Sequence, residues 1–215
     1  MHVAALRFLY TTTLRRPEEV VRIPWPKVPR TLPDILSRDE VLRLLDRVGN
    51  IKHRAVLSCA YGAGLRITEA CSLTVKDLDS QRGLIHVRKG KRQLDRYVML
   101  SERLLLLLRE YWRQVRPEPP LLFPGEVSGQ PISPRTVRES LKKAAVGLGI
   151  QKRVTPHSLR HAFATHLLEA GTDIRVIQAL LGHGSIRSTQ RYTAVSRRHV
   201  GRVKSPLDEV APTDA

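Results

Sequence analysis

Cysteine is scarce in these 215 residues, with only Cys59 and Cys71 present. The two show no C-x-x-C spacing and both fall within helical patterns, which argues against a disulfide framework and a thiol metal site. They read as reduced, buried, intracellular side chains. Long apolar runs are also missing: the longest, Leu104 to Leu108, falls far short of the roughly 20 residues that span a bilayer. That leaves a soluble globular chain. The first 16 residues contain no acid, as in a transit peptide, but neither an apolar h-region nor a small-residue cleavage site accompanies them. Histidines 157, 161 and 166 stand without a cysteine partner and without H-E-x-x-H, so a zinc site is not expected.

Acidic residues are the third deficit. Asp and Glu total 20 against 37 Lys and Arg, a net charge of +17 with an isoelectric point near 10.8. The last eleven residues, Ser205 to Ala215, hold three acids and no Lys or Arg, so the positive charge belongs to the body of the chain. Such an excess points to a polyanionic partner, and charge alone does not distinguish DNA from RNA. A hydrophobic content of 41% is enough for a core in one large or two small domains.

The residues that carry chemistry concentrate between Thr155 and Tyr192. Thr155 is a natural N-cap, and Pro156 suits the first helical position, whose N–H has no intrahelical partner in any case. The helix that starts there places His157 and Arg160 on one face of its first turn, near the positive end of the dipole, where an anion is held. Gly171 reads as its left-handed terminator, Thr172 or Asp173 as the cap of a second helix, and Gly182 as that helix's end just before His183. Tyr192 follows on a further short polar helix.

Upstream, residues 2 to 14 read as the end of a helix. Pro17, Pro24, Pro26, Pro29 and Pro33 make the next segment an extended linker. Ser37 and Glu40 form a capping box for a helix through about Val48. A second helix runs from about Ile51 to the Gly62–Gly64 region, and a third starts at Arg66 or Ile67, with Glu69 one turn beyond Arg66. Residues 84 to 88 and 95 to 100 alternate and are β-rich around the basic tip Lys89-Gly90-Lys91-Arg92-Gln93-Leu94, which predicts a hairpin. Residues 101 to 115 predict a helix whose leucine run is core and whose Trp112 packs rather than stacks on a base. Ser133-Pro134 starts a basic helix to about Gly147. Part of its Arg135, Arg138, Lys142 and Lys143 set is expected to meet phosphates.

Gly64-Leu65-Arg66 with Glu69, His157-Ser158-Leu159-Arg160, Leu181-Gly182-His183 and Tyr192 stand in this order and at these separations. Together they resemble the catalytic domain of the tyrosine recombinase (phage integrase) family, over about residues 30 to 204. The resemblance implies a mainly α fold with a small antiparallel β-sheet between residues 80 and 100. It divides the chain into residues 1–15, a remnant of the last helix of an amino-terminal DNA-binding domain; 16–36, a Pro-rich linker; 37–204, the catalytic domain; and 205–215, an acidic disordered tail. An amino-terminal truncation relative to the family is implied as well. Two departures stand out. Ala63 replaces the family's usual threonine or cysteine, and in the hairpin phrase G-K-G-x-K-D/E-R the sequence has Arg92 for glycine and Leu94 for the second lysine.

The chemistry that the resemblance implies is site-specific recombination of double-stranded DNA without metal, ATP or other cofactor. Tyr192 would attack the scissile phosphate, giving a 3′-phosphotyrosyl enzyme and a free 5′-hydroxyl. Arg66 and Arg160 would clamp the charged transition state. Lys91, with Lys89 as second choice, would protonate the leaving oxygen, and His157 would accept the phenolic proton. His183 would hydrogen-bond the phosphate, and Glu69 would support the geometry. Lys89 and Arg92 join the basic α-helical residues as candidate DNA contacts. The family acts as a tetramer of protomers on two sites, with the segment after the tyrosine packed on a neighbour, so self-association on DNA in the cytoplasm, at the nucleoid, is implied; no membrane is involved.

Two other readings remain open on sequence alone. The segment TDIRVIQALLGHGSIRSTQRY has the look of a helix-turn-helix in a non-catalytic DNA-binding protein, which leaves Arg66 and the hairpin lysine unexplained. A type IB topoisomerase uses similar chemistry. If a basic face carries the affinity, log K for DNA should fall by about 0.9 per log unit of salt for each phosphate neutralised. Binding titrations across salt concentrations check this, and a salt-insensitive interaction would count against such a face.

Overall fold

The computed structural model describes residues 2–21, 35–88, 95–182 and 203–208, within two units, Met1–Pro33 and Asp34–Ala215. In the first unit, α1 (His2–Phe8) runs into a wider π-type turn, Leu9–Thr13, and is followed by α2 (Glu18–Val21). The guanidinium of Arg7 donates to the Val20 carbonyl at 3.1 Å. The extended path expected from residue 16 is therefore interrupted by one helical turn. Pro17 presets the backbone for it, and Glu18 and Glu19 favour the positive end of its dipole.

The second unit is built around α4 (Ile51–Gly62), in which every residue from Ala55 to Gly62 is buried. A helix with no polar face in that stretch must be surrounded, and α4 packs against α3 (Arg38–Arg47), α5 (Ile67–Cys71), α6 (Glu102–Val115), α7 (Pro134–Gly147) and α8 (Pro156–Glu169). The caps read from the sequence are present. The Ser37 amide donates to Glu40 Oε2 at 2.7 Å and the Glu40 amide to Ser37 Oγ at 3.1 Å. Thr155 Oγ1 accepts from the Ser158 amide at 3.2 Å, with Pro156 in the first turn of α8. Asp173, not Thr172, caps α9 (Ile174–Leu181), accepting from the Arg175 amide at 2.7 Å. Gly171 and Gly182 have φ of 82° and 60°, the left-handed terminators expected.

The sheet has three antiparallel strands in the order β1 (Leu78–Asp79), β2 (Leu84–Val87), β3 (Arg96–Met99). β2 and β3 are the arms of the expected hairpin, with Ile85 opposite Val98 and Val87 opposite Arg96. β1, two residues long, is too short for alternation to announce it. In α6 the leucine run is only partly core: Leu104 and Leu108, one turn apart, are buried, while Leu106 is 60% exposed. Trp112 packs against the core as expected. Cys59 and Cys71 are buried and unpaired with each other, and burial pushes their thiols up to about 12 and about 11. Among the described residues no helix is long and apolar enough to cross a membrane.

The tail expected to be disordered from Ser205 does not begin as one. Ser205 Oγ donates to the Gly62 carbonyl at 2.6 Å and accepts from the Leu207 amide at 3.2 Å. Asp208 Oδ1 accepts from the Arg103 amide in the first turn of α6 at 3.2 Å. Leu207 is buried against the end of α4, so close that a Cβ on Gly62 would lie 2.9 Å from its Cδ2. Acidic composition signals disorder only while no residue finds a partner, and here one leucine and one helix-capping acid do. Leu207→Ala should lower the unfolding free energy by about 2–3 kcal/mol. Urea denaturation checks this; an unchanged midpoint would put residues 205–208 outside the cooperative unit.

Candidate active site

The site begins where α4 ends. Gly64 has φ of +63°, and a Cβ there would lie 2.5 Å from the ring of Phe163. Only glycine allows this turn to press against α8. The turn delivers Arg66 as the N-cap of α5, three residues before Glu69. Glu69 reaches back to its own helix start: Oε2 accepts from the Arg66 amide at 2.9 Å and Oε1 from Arg66 Nη1 at 2.8 Å. The same carboxylate receives a second arginine from β3. Arg96 Nη1 donates to Oε1 at 3.0 Å and Nη2 to Oε2 at 2.7 Å, the two-pronged geometry that guanidinium favours. A third guanidinium comes from α8, with Arg160 Nη1 3.7 Å from Oε2.

Arg160 and Arg96 are both buried and both tied to the end of α9. Arg160 Nη2 donates to the Leu181 carbonyl at 2.5 Å and Nη1 to the Gly64 carbonyl at 2.6 Å, while Arg96 Nε donates to the Leu180 carbonyl at 2.8 Å. The Leu180 and Leu181 carbonyls are last-turn groups with no intrahelical donor, at the negative end of the α9 dipole. Burial lowers the Arg160 guanidinium to about 10, with the neighbouring Arg66 and Arg96 charges adding to the effect and Glu69 opposing it. For Glu69, burial pushes the carboxyl up, but the hydrogen bonds and charge of Arg96, then the amide and guanidinium of Arg66, outweigh it and hold the group at about 2. Three cations and one anion leave a net charge of two in a fixed place. Arg66, with 41% of its side chain exposed, is the open edge. His157 is exposed on the first turn of α8, three residues before Arg160.

A sequence model described as the phage integrase family matches residues 34–199. The chain belongs to the phage integrase family. It is 50% identical to the putative integrase/recombinase y4qK of Sinorhizobium fredii, over 98% of this chain and 70% of that protein. Among solved structures it is similar to the XerA recombinase, with 32% identity and a TM-score of 0.66 over 89% of this chain and 72% of that one. It is also similar to the XerH site-specific recombinase bound to its difH substrate in a pre-cleavage complex, with 27% identity and a TM-score of 0.62 over 76% and 51% of the two chains. The mainly helical architecture with a three-stranded antiparallel sheet is that of the recombinase catalytic domain.

Of the residues singled out from the sequence, this phage integrase family domain brings Arg66, Glu69 and Arg160 together, with His157 on the same helix turn as Arg160. Lys89, Lys91, Arg92, His183 and Tyr192 lie outside the described residues. Arg135, Arg138, Lys142 and Lys143 are exposed on α7, where Arg135 Nε pairs with Glu139 Oε1 at 3.0 Å. The three histidines do not share an environment: His166 is buried with Nδ1 3.0 Å from the Tyr61 hydroxyl. Arg96 is the member that sequence reasoning missed. Its signal is an arginine at an inward position of β3, in register with buried Val87, where alternation calls for an apolar residue.

Glu69 holds its proton less tightly folded than at its ordinary 4.5. Its stabilising contribution is therefore present above about pH 4.5 and is lost as pH falls toward about 2, an effect of order ~3 kcal/mol. Glu69→Gln should be less stable at neutral pH and show a shallower loss of stability between about pH 5 and pH 3. Urea unfolding across that range checks the slope.

Proposed function

We propose that this chain is a site-specific DNA recombinase that cuts and rejoins strands through a 3′-phosphotyrosyl intermediate, with Tyr192 as the nucleophile. The observation that carries this is the guanidinium cluster around Glu69, a buried, preorganised positive site in a domain of this family. Such a site is complementary to the negative charge that gathers on the non-bridging oxygens of a pentacoordinate phosphorus. The arginines supply that charge permanently, since guanidinium does not lose its proton near neutral pH. Double-stranded DNA is the proposed partner: the Tn1549 transposon integrase, which shares the fold, is in complex with circular intermediate DNA, and the net charge of +17 favours it.

In the proposed cleavage step the Tyr192 oxygen bonds to phosphorus while the bond from phosphorus to the 5′-oxygen breaks, its electron pair leaving on that oxygen. His157 takes the phenolic proton, and Lys91, or Lys89 in its place, gives one to the leaving oxygen. Arg66 and Arg160 bind the non-bridging oxygens with His183. The phosphotyrosyl bond keeps the energy of the phosphodiester, so a 5′-hydroxyl from another strand reverses the step without ATP. Four protomers on two sites would carry both exchanges. The exposed basic residues of α7 are the proposed backbone contacts.

A free helix-turn-helix reader is disfavoured, because α9 buries Ile177, Leu180 and Leu181 and its last carbonyls are bound to Arg96 and Arg160. A topoisomerase is disfavoured by the relatives, which are recombinases. The test is covalent trapping on nicked duplex that loses its 5′-hydroxyl fragment on cleavage. Wild type should give an SDS-resistant adduct, and Tyr192→Phe none. Bound DNA without an adduct would sink the catalytic reading; an adduct that survives the substitution would assign the nucleophile elsewhere.

A further inference from the structure

Glu69 offers about four lone-pair positions, two on each oxygen, and all are occupied. Oε1 accepts from Arg66 Nη1 and Arg96 Nη1; Oε2 accepts from the Arg66 amide and Arg96 Nη2. Arg160 stands next in line, 3.7 Å from Oε2, and its own nitrogens turn instead to the Gly64 and Leu181 carbonyls. We propose that Arg96 is a positioning residue of the recombinase site: by filling one acceptor position on each oxygen of Glu69, it keeps the Glu69–Arg160 ion pair long, at 3.7 Å, and so leaves the Arg160 charge directed to the scissile phosphate. The inference rests on the recombinase chemistry proposed above.

The placement of Arg96 calls for such a reason. It is 8% exposed on the inward face of β3, opposite Val87, where an apolar side chain would pack without desolvating a charge. Remove its guanidinium and the balance at the site changes from three cations and one anion to two and one. One of the two acceptor positions it vacates is on Oε2, the oxygen that already has the Arg160 cation at 3.7 Å. The ion pair that Arg160 already makes there at 3.7 Å would shorten to a hydrogen-bonded one and hold to Glu69 the arginine that the reaction requires. Arg66 already occupies one position on each oxygen through its amide and Nη1. A role limited to tying the sheet to α9 through the Leu180 carbonyl would predict a loss of stability with no dependence on the charge of the substrate.

Single-turnover cleavage of nicked duplex separates these accounts. Arg96→Met should cleave about 100-fold more slowly than wild type, the scale of losing one oxyanion contact, whereas Arg96→Lys, which keeps the cation, should stay within about 10-fold. A methylphosphonate at the scissile position carries no negative charge on the reacting phosphorus group, so the Arg96→Met defect should shrink to a few-fold there. Adding Glu69→Gln to Arg96→Met removes the carboxylate that would capture Arg160 and should recover about 10-fold. Thermal melting verifies folding, and Arg96→Gln is measured in the same way should the methionine variant not melt cooperatively. An active wild type with an Arg96→Met variant within about threefold of it, or a defect equal on both substrates, overturns this inference alone. A wild type that forms no adduct overturns the recombinase chemistry and this inference together.

Discussion

Glu69 stands among guanidiniums that come from a helix start, a strand and a second helix, and its charge is what allows three cations to lie within one small volume. Like charges at such separations repel strongly where water is scarce. Burial lowers the Arg160 guanidinium to about 10, the Arg66 and Arg96 charges lower it further, and Glu69 opposes them. The carboxylate is neutralised more than once over by Arg66 and Arg96, so it remains ionised far below ordinary carboxyl range, and the site as a whole remains positive. An anion entering it meets charge already in place and requires little rearrangement of the protein.

The fold around this carboxylate brings in parts that are distant in the chain. The all-apolar stretch of α4 forces neighbours onto every side, and the glycine after it permits the close turn that aims Arg66 while giving Arg160 a carbonyl. The negative end of α9 supplies two further acceptors, one to Arg96 and one to Arg160. The L-G-H motif thus begins beside the arginine cluster, with the Leu181 carbonyl bound to Arg160. The helix end and the arginines satisfy each other: carbonyls that would lack donors find them, and buried guanidiniums that would lack acceptors find theirs.

Much of this was legible in the sequence wherever a signal is local. The caps at Ser37 and Thr155, the left-handed glycines at 171 and 182, and the hairpin arms act through neighbours within a few residues, so the residue types that satisfy them appear at fixed spacing. The order of the arginine, histidine and tyrosine motifs pointed to the family for the same reason, since each motif is written within a single turn or loop. The helical turn at Glu18–Val21 arose from local signals, Pro17 and two acids, in a segment read as extended from its prolines. At Ser205–Leu207 the partner was remote, since that buried turn depends on α4 and α6.

The sequence by itself therefore determined the helix boundaries, the excess of positive charge and the family, because capping, periodicity and composition are properties of short stretches and of sums. Only the tertiary structure decided that Arg96 belongs with Arg66 and Arg160. Its partners are Glu69, 27 residues away, and the Leu180 carbonyl, 84 residues away. No local rule selects an arginine for such a position; the packing of a strand against two helices brings the carboxylate and the orphan carbonyl there, and electrostatics in that buried place does the rest.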